Sequence, residues 1–174
     1  MEKVKLALVE AEQIADELID IFTPWCRKIE KAGSIRRRSP LVGDIELVAM
    51  PVMALDMFGE ATADHTLDTF DYSKLGKVIK SGHKYKKVDL DSGISLDLFI
   101  VTPPAEWGVV YMIRTGSADF SHKLVTPKKY GGMLPSDLRV KDGAIWKGEK
   151  KIPTPSEDDV FRVLGISPIP PEDR

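Results

Sequence analysis

Cysteine is almost missing from this 174-residue chain: Cys26 stands alone. A single thiol excludes an internal disulfide and a cysteine-based zinc site, and it points to a reducing compartment. Long apolar runs are missing as well, and none approaches the ~20 residues of a membrane-spanning helix. The opening MEKVKLALVEAEQ carries acids too early for a signal peptide, so no leader is expected. Excess charge of one sign is absent; a net charge of −2 rules out a uniformly basic coat but leaves room for a local one. Histidines are few and scattered: His65, His83 and His122 read as surface residues rather than metal ligands. Trp25, Trp107 and Trp146 read as packing residues, and no internal repeat is evident.

What is present is a soluble, globular composition, 43% apolar and 30% charged. The length allows one domain or two small ones. The near-zero net charge hides strong segregation. Six Lys/Arg against Glu30 alone lie between Cys26 and Arg38, and eight against three acids lie between Ser121 and Lys151. Between these blocks, Pro51 to Tyr72 holds five acids and no Lys or Arg. This pattern fits one side facing a polyanion, and equally a set of solvated loops.

Val4, Leu8, Ala11, Ala15, Leu18 and Phe22 recur at helical spacing, which predicts a core-packing helix over 4–22, ended by Pro24. Asp44–Met50 and Ile94–Val101 alternate as strands, and Lys84–Leu90 pairs with the latter through a turn at Asp91-Ser92-Gly93. Segment 52–73 reads as an inserted loop or short helix. Residues 105–129 are helical with a break near Thr115-Gly116-Ser117. Asp142-Gly143 marks a hairpin, and Ser156 with Asp159 makes a capping box for a last helix.

Residues two apart in a strand share a face. Asp44 and Glu46 then project together while Ile45 and Leu47 enter the core, and Asp97 shares a face with Ser95 and Phe99. If the two strands are neighbours, three carboxylates converge. Such a cluster repels itself unless cations intervene, and hard oxygen ligands suit Mg²⁺ or Mn²⁺. The same acids would also be ordinary on an exposed sheet face. Upstream, Gly33-Ser34-Ile35-Arg36-Arg37-Arg38 offers a close-approach glycine, a hydroxyl and guanidinium forks that match phosphate oxygens. Gly43 directly precedes the acidic strand. A basic run of this kind is otherwise a solvated turn.

The ordered set GSIRRR, GDIE with its first acid eleven residues after the opening glycine, LDLF and RTGSADF resembles the family X DNA polymerases, from about Ala32 to the C-terminus. The resemblance implies an α+β fold: a nucleotidyltransferase palm with a mixed sheet and a small C-terminal thumb. It divides the chain into an N-terminal helix at 1–23, a palm at 24–114 and a thumb at 115–174. It implies Asp44, Glu46 and Asp97 as catalytic metal ligands for two Mg²⁺ ions, with Mn²⁺ able to substitute. It implies nucleotide contacts from Gly33, Ser34, Arg37, Gly43, Thr115, Gly116, Ser117, Asp119 and Ser121, with Ala118 near the base. His122, Lys123, Lys128 and Lys129 are then the candidate DNA contacts.

Four departures accompany the resemblance. Glu46 stands where an Asp is usual, Ile113-Arg114 replaces an aromatic pair, and Ser95 stands where an Arg often sits. Only one helix precedes the palm, so lyase chemistry on a 5′-phosphate is not carried over. The implied activity is dNTP addition to the 3′-end of a primer-template or gapped DNA, in repair, by a monomer that touches no membrane. The implied setting is the cytoplasm or nucleoid, and the small size is like that of minimal viral members. Two alternatives remain at this point: a template-independent nucleotidyltransferase acting on RNA or a small molecule, and a non-catalytic DNA-end-binding module.

Overall fold

In the computed structural model, residues 4–174 are described. Their contacts group them into two units: residues up to Lys31 with Pro40–Ile100, and Ala32–Ser39 with Val101–Arg174. The motif-based division above cuts the chain elsewhere, at residues 23 and 114.

The first unit holds strand β1 (Leu6–Ala7), helix α1 (Leu8–Phe22) and strand β2 (Cys26–Lys31). Helix α2 (Gly33–Arg36) follows in the second unit. The first unit then resumes with β3 (Leu41–Val42), β4 (Asp44–Pro51), β5 (Met53–Leu55), β6 (Ala61–His65), β7 (Gly76–Gly82), β8 (Tyr85–Leu90) and β9 (Ser95–Ile100). Five of these strands form a sheet in the order β2-β4-β9-β8-β7. The central pair β4–β9 is parallel and the other pairs are antiparallel, so the sheet is mixed.

Helix α1 lies on β2 and β4 and buries Ala11, Ala15, Leu18 and Phe22, the residues its spacing selected. The helix starts four residues later than the periodicity suggests. Leu6 and Ala7 instead pair with Val42 and Leu41, and Glu10 accepts a hydrogen bond from the Ala7 N–H. Segment 52–73 differs more. It opens with a strand pair, β5–β6, that the sequence reading does not anticipate, and then forms two short 3₁₀ helices at Thr66–Asp68 and Tyr72–Lys74, as the short-helix reading expects. The Asp56 carboxylate accepts from the N–H groups of Phe58 and Glu60, an Asx-type turn that directs the chain back on itself. Among the described residues no helix is long and apolar enough to cross a membrane.

The second unit continues with α3 (Trp107–Thr115), α4 (Ala118–Val125), β10 (Arg139–Lys141), β11 (Ala144–Lys147), β12 (Lys150–Ile152) and α5 (Glu157–Leu164). Its core is a cluster of Val109, Met112, Phe120, Leu124, Leu134, Ile145, Val160, Phe161 and Leu164. Asp142 and Gly143 both adopt positive φ and turn β10 into β11, as the dipeptide predicts. The Ser156–Asp159 capping box opens α5 with both reciprocal hydrogen bonds formed.

Gly108 admits no side chain. A Cβ there would lie 2.1 Å from the Ser156 carbonyl oxygen and 2.6 Å from that of Thr154, while its own N–H donates to Thr154 O at 3.0 Å. Gly108→Ala is expected to cost about 1–3 kcal/mol, a Tm fall of about 2–12 °C. Gly43→Ala, where a Cβ meets nothing within 4 Å, serves as the neutral control in thermal melts. Equal Tm values for the two variants would contradict the packing argument.

Candidate active site

The parallel register of β4 and β9 sets the geometry of the first unit's acidic face. Glu46 lies directly opposite Asp97, and Asp44 opposite Ser95. Adjacent strands are about 4.8 Å apart, so the Glu46 and Asp97 side chains leave the sheet as neighbours. The alternate residues Ile45, Leu47, Leu96 and Leu98 are fully buried, as the alternation predicts. The antiparallel pairing of β8 with β9 then places Lys87 opposite Asp97, Asp89 opposite Ser95 and Tyr85 opposite Phe99.

Asp97 is 7% exposed and is held by two neighbouring side chains on β8. Lys87 Nζ donates to both of its carboxylate oxygens, at 3.0 and 3.1 Å. The Tyr85 hydroxyl donates to Oδ1, and the Tyr85 ring stacks on Phe99 with centroids 5.1 Å apart. Ser95 Oγ donates to Asp89 at 2.6 Å. Lys87 and Tyr85 are the residues that sequence reasoning overlooked. Their signal was available: the turn at Asp91-Ser92-Gly93 sets the register of the hairpin, and period-two alternation then puts Tyr85, Lys87 and Asp89 on the face of Asp97.

The buried Asp97 carboxylate and the half-buried Asp44 and Glu46 on neighbouring strand positions are a donor set of hard oxygens that fits Mg²⁺ or Mn²⁺. The Lys87 ammonium, held by both Asp97 oxygens, shows that this position stabilises positive charge. Among the described residues, however, the trio of ligand atoms lying within 4.8 Å of one another is His65, Asp68 and His83, also in the first unit. The surface reading of these histidines is corrected in part. His65 is 2% exposed, and its ring centroid is 4.3 Å from that of His83.

The second unit holds the other candidate residues, except Gly43, which precedes β4. Gly33 has φ +54 and opens α2. The Ser34 hydroxyl is buried with no hydrogen-bond partner. An orphaned buried hydroxyl, here two residues before Arg36 in the chain, is what an anion site would leave. Arg37 Nη1 donates to the Thr115 carbonyl, and Gly116 lets it come close, since a Cβ there would lie 2.9 Å from that nitrogen. Gly116 has φ +71 and ψ −156, a conformation that only glycine adopts readily.

Ser117 caps α4 by accepting from the Phe120 N–H, Ser121 Oγ donates to Ile113 O at 2.6 Å, and Asp119 lies exposed in the first turn. His122, Lys123, Lys128 and Lys129 are exposed on α4 and the following 3₁₀ turn.

Arg36 has a structural task. It forms a bidentate pair with Glu157 at 2.7 and 2.6 Å, donates to Thr115 Oγ1 at 2.7 Å, and lies 3.9 Å over the Tyr111 ring. Arg174, with its side chain 2% exposed, donates to the same Glu157 at 2.7 Å. Burial alone would raise the Glu157 pKa, but the hydrogen bonds and charges of Arg36 and Arg174 hold it below the usual carboxylate value.

No protein-family model and no curated protein matches the chain. Solved structures do. A ternary P/T complex of Leishmania infantum polymerase beta matches at TM-score 0.74 and 17% identity, over 98% of this chain and 77% of that one. A ternary gap complex of the same polymerase matches at TM-score 0.74 and 15% identity, over 98% and 71%. The chain therefore has the α+β fold of polymerase beta, the family X fold that its motifs resemble.

Proposed function

We propose that this protein is a DNA polymerase that adds deoxynucleotides to a DNA 3′-end, filling gaps in repair. The observation that carries this reading is the register of Glu46 with Asp97, one step from Asp44, on the parallel pair of a polymerase beta-like fold. Two Mg²⁺ ions held by Asp44, Glu46 and Asp97, replaceable by Mn²⁺, would supply charge neutralisation for in-line attack of a 3′-hydroxyl on the α-phosphate, with the α–β phosphoanhydride bond breaking and pyrophosphate leaving. Asp97 would accept its ligand role by exchanging the Lys87 contact, and Lys87 keeps the carboxylate aimed until then. In the second unit, the orphaned Ser34 hydroxyl, the Gly33 backbone and Arg37 have the chemistry of phosphate ligands. Thr115, Gly116 and Ser117 would border the nucleotide sugar, with Asp119 and Ser121 beyond them. The P/T and gap complexes of the similar polymerase support a primer-template or gapped DNA as substrate.

The test is extension of a labelled primer offered alone, on a template and in a gap, with each dNTP and NTP. Template-dependent extension with Mg²⁺ supports the reading. Addition to the unpaired primer would favour a template-independent transferase instead. A non-catalytic DNA-end-binding module has one observation in its favour, since Lys87 and Tyr85 already satisfy Asp97. Binding without extension under every condition would select it.

The exposed Lys123, Lys128 and Lys129 give a second expected result. Their joint replacement by Ala lowers DNA affinity and flattens its salt dependence by about 0.9 log–log units per lost phosphate contact. Affinity measured across a salt series checks this, and an unchanged slope removes the segment from the DNA interface.

A further inference from the structure

We propose that His65, Asp68 and His83 form a binding site for one Zn²⁺ ion, separate from the carboxylates of β4 and β9. His65 closes β6, Asp68 ends the 3₁₀ turn after it, and His83 lies between β7 and β8. One ligand atom from each lies within 4.8 Å of the others. His65 Nε2 is 3.6 Å from Asp68 Oδ2, and His83 Nδ1 contacts that same oxygen. Tetrahedral Zn²⁺ with bonds of about 2.0–2.1 Å needs ligand atoms about 3.3 Å apart, so small side-chain shifts complete the geometry. Two imidazoles and a carboxylate suit Zn²⁺ better than Mg²⁺, which prefers oxygen alone.

The remaining Asp68 oxygen is already occupied in the way a metal-binding carboxylate usually is. Lys86, 3% exposed on β8, donates to Oδ1 at 2.6 Å and leaves Oδ2 for the ion. Such outer hydrogen bonds orient a ligating carboxylate and hold it in place. His83 is part-exposed, with a side chain 40% accessible, which provides an entry path and a fourth position for water. His65 supplies the rigid, buried wall. On ligation, its Nε2 gives up both its proton and the 2.9 Å hydrogen bond it donates to the His83 carbonyl, and the ring takes the tautomer protonated at Nδ1. The ion ties the β5–β6 segment to the β7–β8 hairpin, adding to the Lys86–Asp68 ion pair and the His65–His83 ring contact that already join them.

The experiment uses the whole chain and Zn²⁺ alone as the probe. At a hundredfold excess over Kd, Zn²⁺ raises the Tm of the wild type by about 5–10 °C. His83→Gln abolishes the rise, and Asp44→Asn keeps it. No rise, a rise retained in His83→Gln, or one lost in Asp44→Asn overturns the proposal and leaves a hydrogen-bond network or a different metal site. Co²⁺ on the wild type provides a reading independent of how the variants fold. Intense visible absorption from a tetrahedral centre with imidazole ligands supports the site, and only the pale spectrum of six-coordinate Co²⁺ refutes it.

Discussion

Asp97→Asn should reduce primer extension by at least ~10³-fold. A metal ligand that loses its charge forfeits several kcal/mol of transition-state stabilisation, and ~4 kcal/mol corresponds to that factor. Asn keeps the size of Asp and an oxygen that accepts from Tyr85, so the stacked Tyr85–Phe99 pair stays supported. Lys87 loses its counter-charge, but its side chain is 27% accessible and reaches water, which limits the folding cost to about 1 kcal/mol. DNA affinity should stay the same or rise, because a negative charge near a polyanion has gone. Loss of extension with a Tm within about 4 °C of wild type and retained DNA binding thus isolates the chemical role. Extension within tenfold of wild type would remove Asp97 from catalysis and with it the two-metal reading.

The largest effect on stability is expected at Glu157. Glu157→Ala leaves Arg36 and Arg174 without their shared carboxylate, and Arg174 is the more costly because its side chain is 2% exposed. Removing one partner of a buried ion pair costs about 3–5 kcal/mol, here a Tm fall of about 6–20 °C. The same network makes stability depend on pH. The folded Glu157 pKa is depressed, so its contribution is present above the unfolded value of about 4.3 and is lost as pH falls through the folded value. Wild type should therefore lose stability in acid more steeply than Glu157→Gln, which has no proton to take up there. Denaturant unfolding at neutral pH and through the acid range measures both effects. Parallel stability curves for the two proteins would show that the network holds nothing together.

The elements and the parity of the acidic strands were legible in the sequence because they depend on near neighbours. The 4-3 spacing of Ala11, Ala15, Leu18 and Phe22 specifies which side of α1 is buried. Alternation around Asp44, Glu46 and Asp97 specifies which side of each strand they leave. Asp142-Gly143 and Ser156–Asp159 act within four residues and produced the turn and the cap they predict. Spacing failed where a remote partner outweighed it. Leu6 and Ala7 left the helix for a strand partner at Leu41–Val42, and segment 52–73 paired with itself.

Tertiary structure decided which polar groups meet. Parity shows that Lys87 and Asp97 can share a face, but only the assembled sheet shows the ammonium on both carboxylate oxygens. Nothing local in GSIRRR distinguishes Arg36, committed to Glu157 at 121 residues' distance, from Arg37, which holds the Thr115 carbonyl. His65 and His83 look scattered along the chain and become neighbours through two separate hairpins. The physical reason is the same in each case. A periodic pattern encodes the direction of a side chain relative to its own backbone, whereas the choice of a distant charged partner depends on register, burial and packing that exist only after folding.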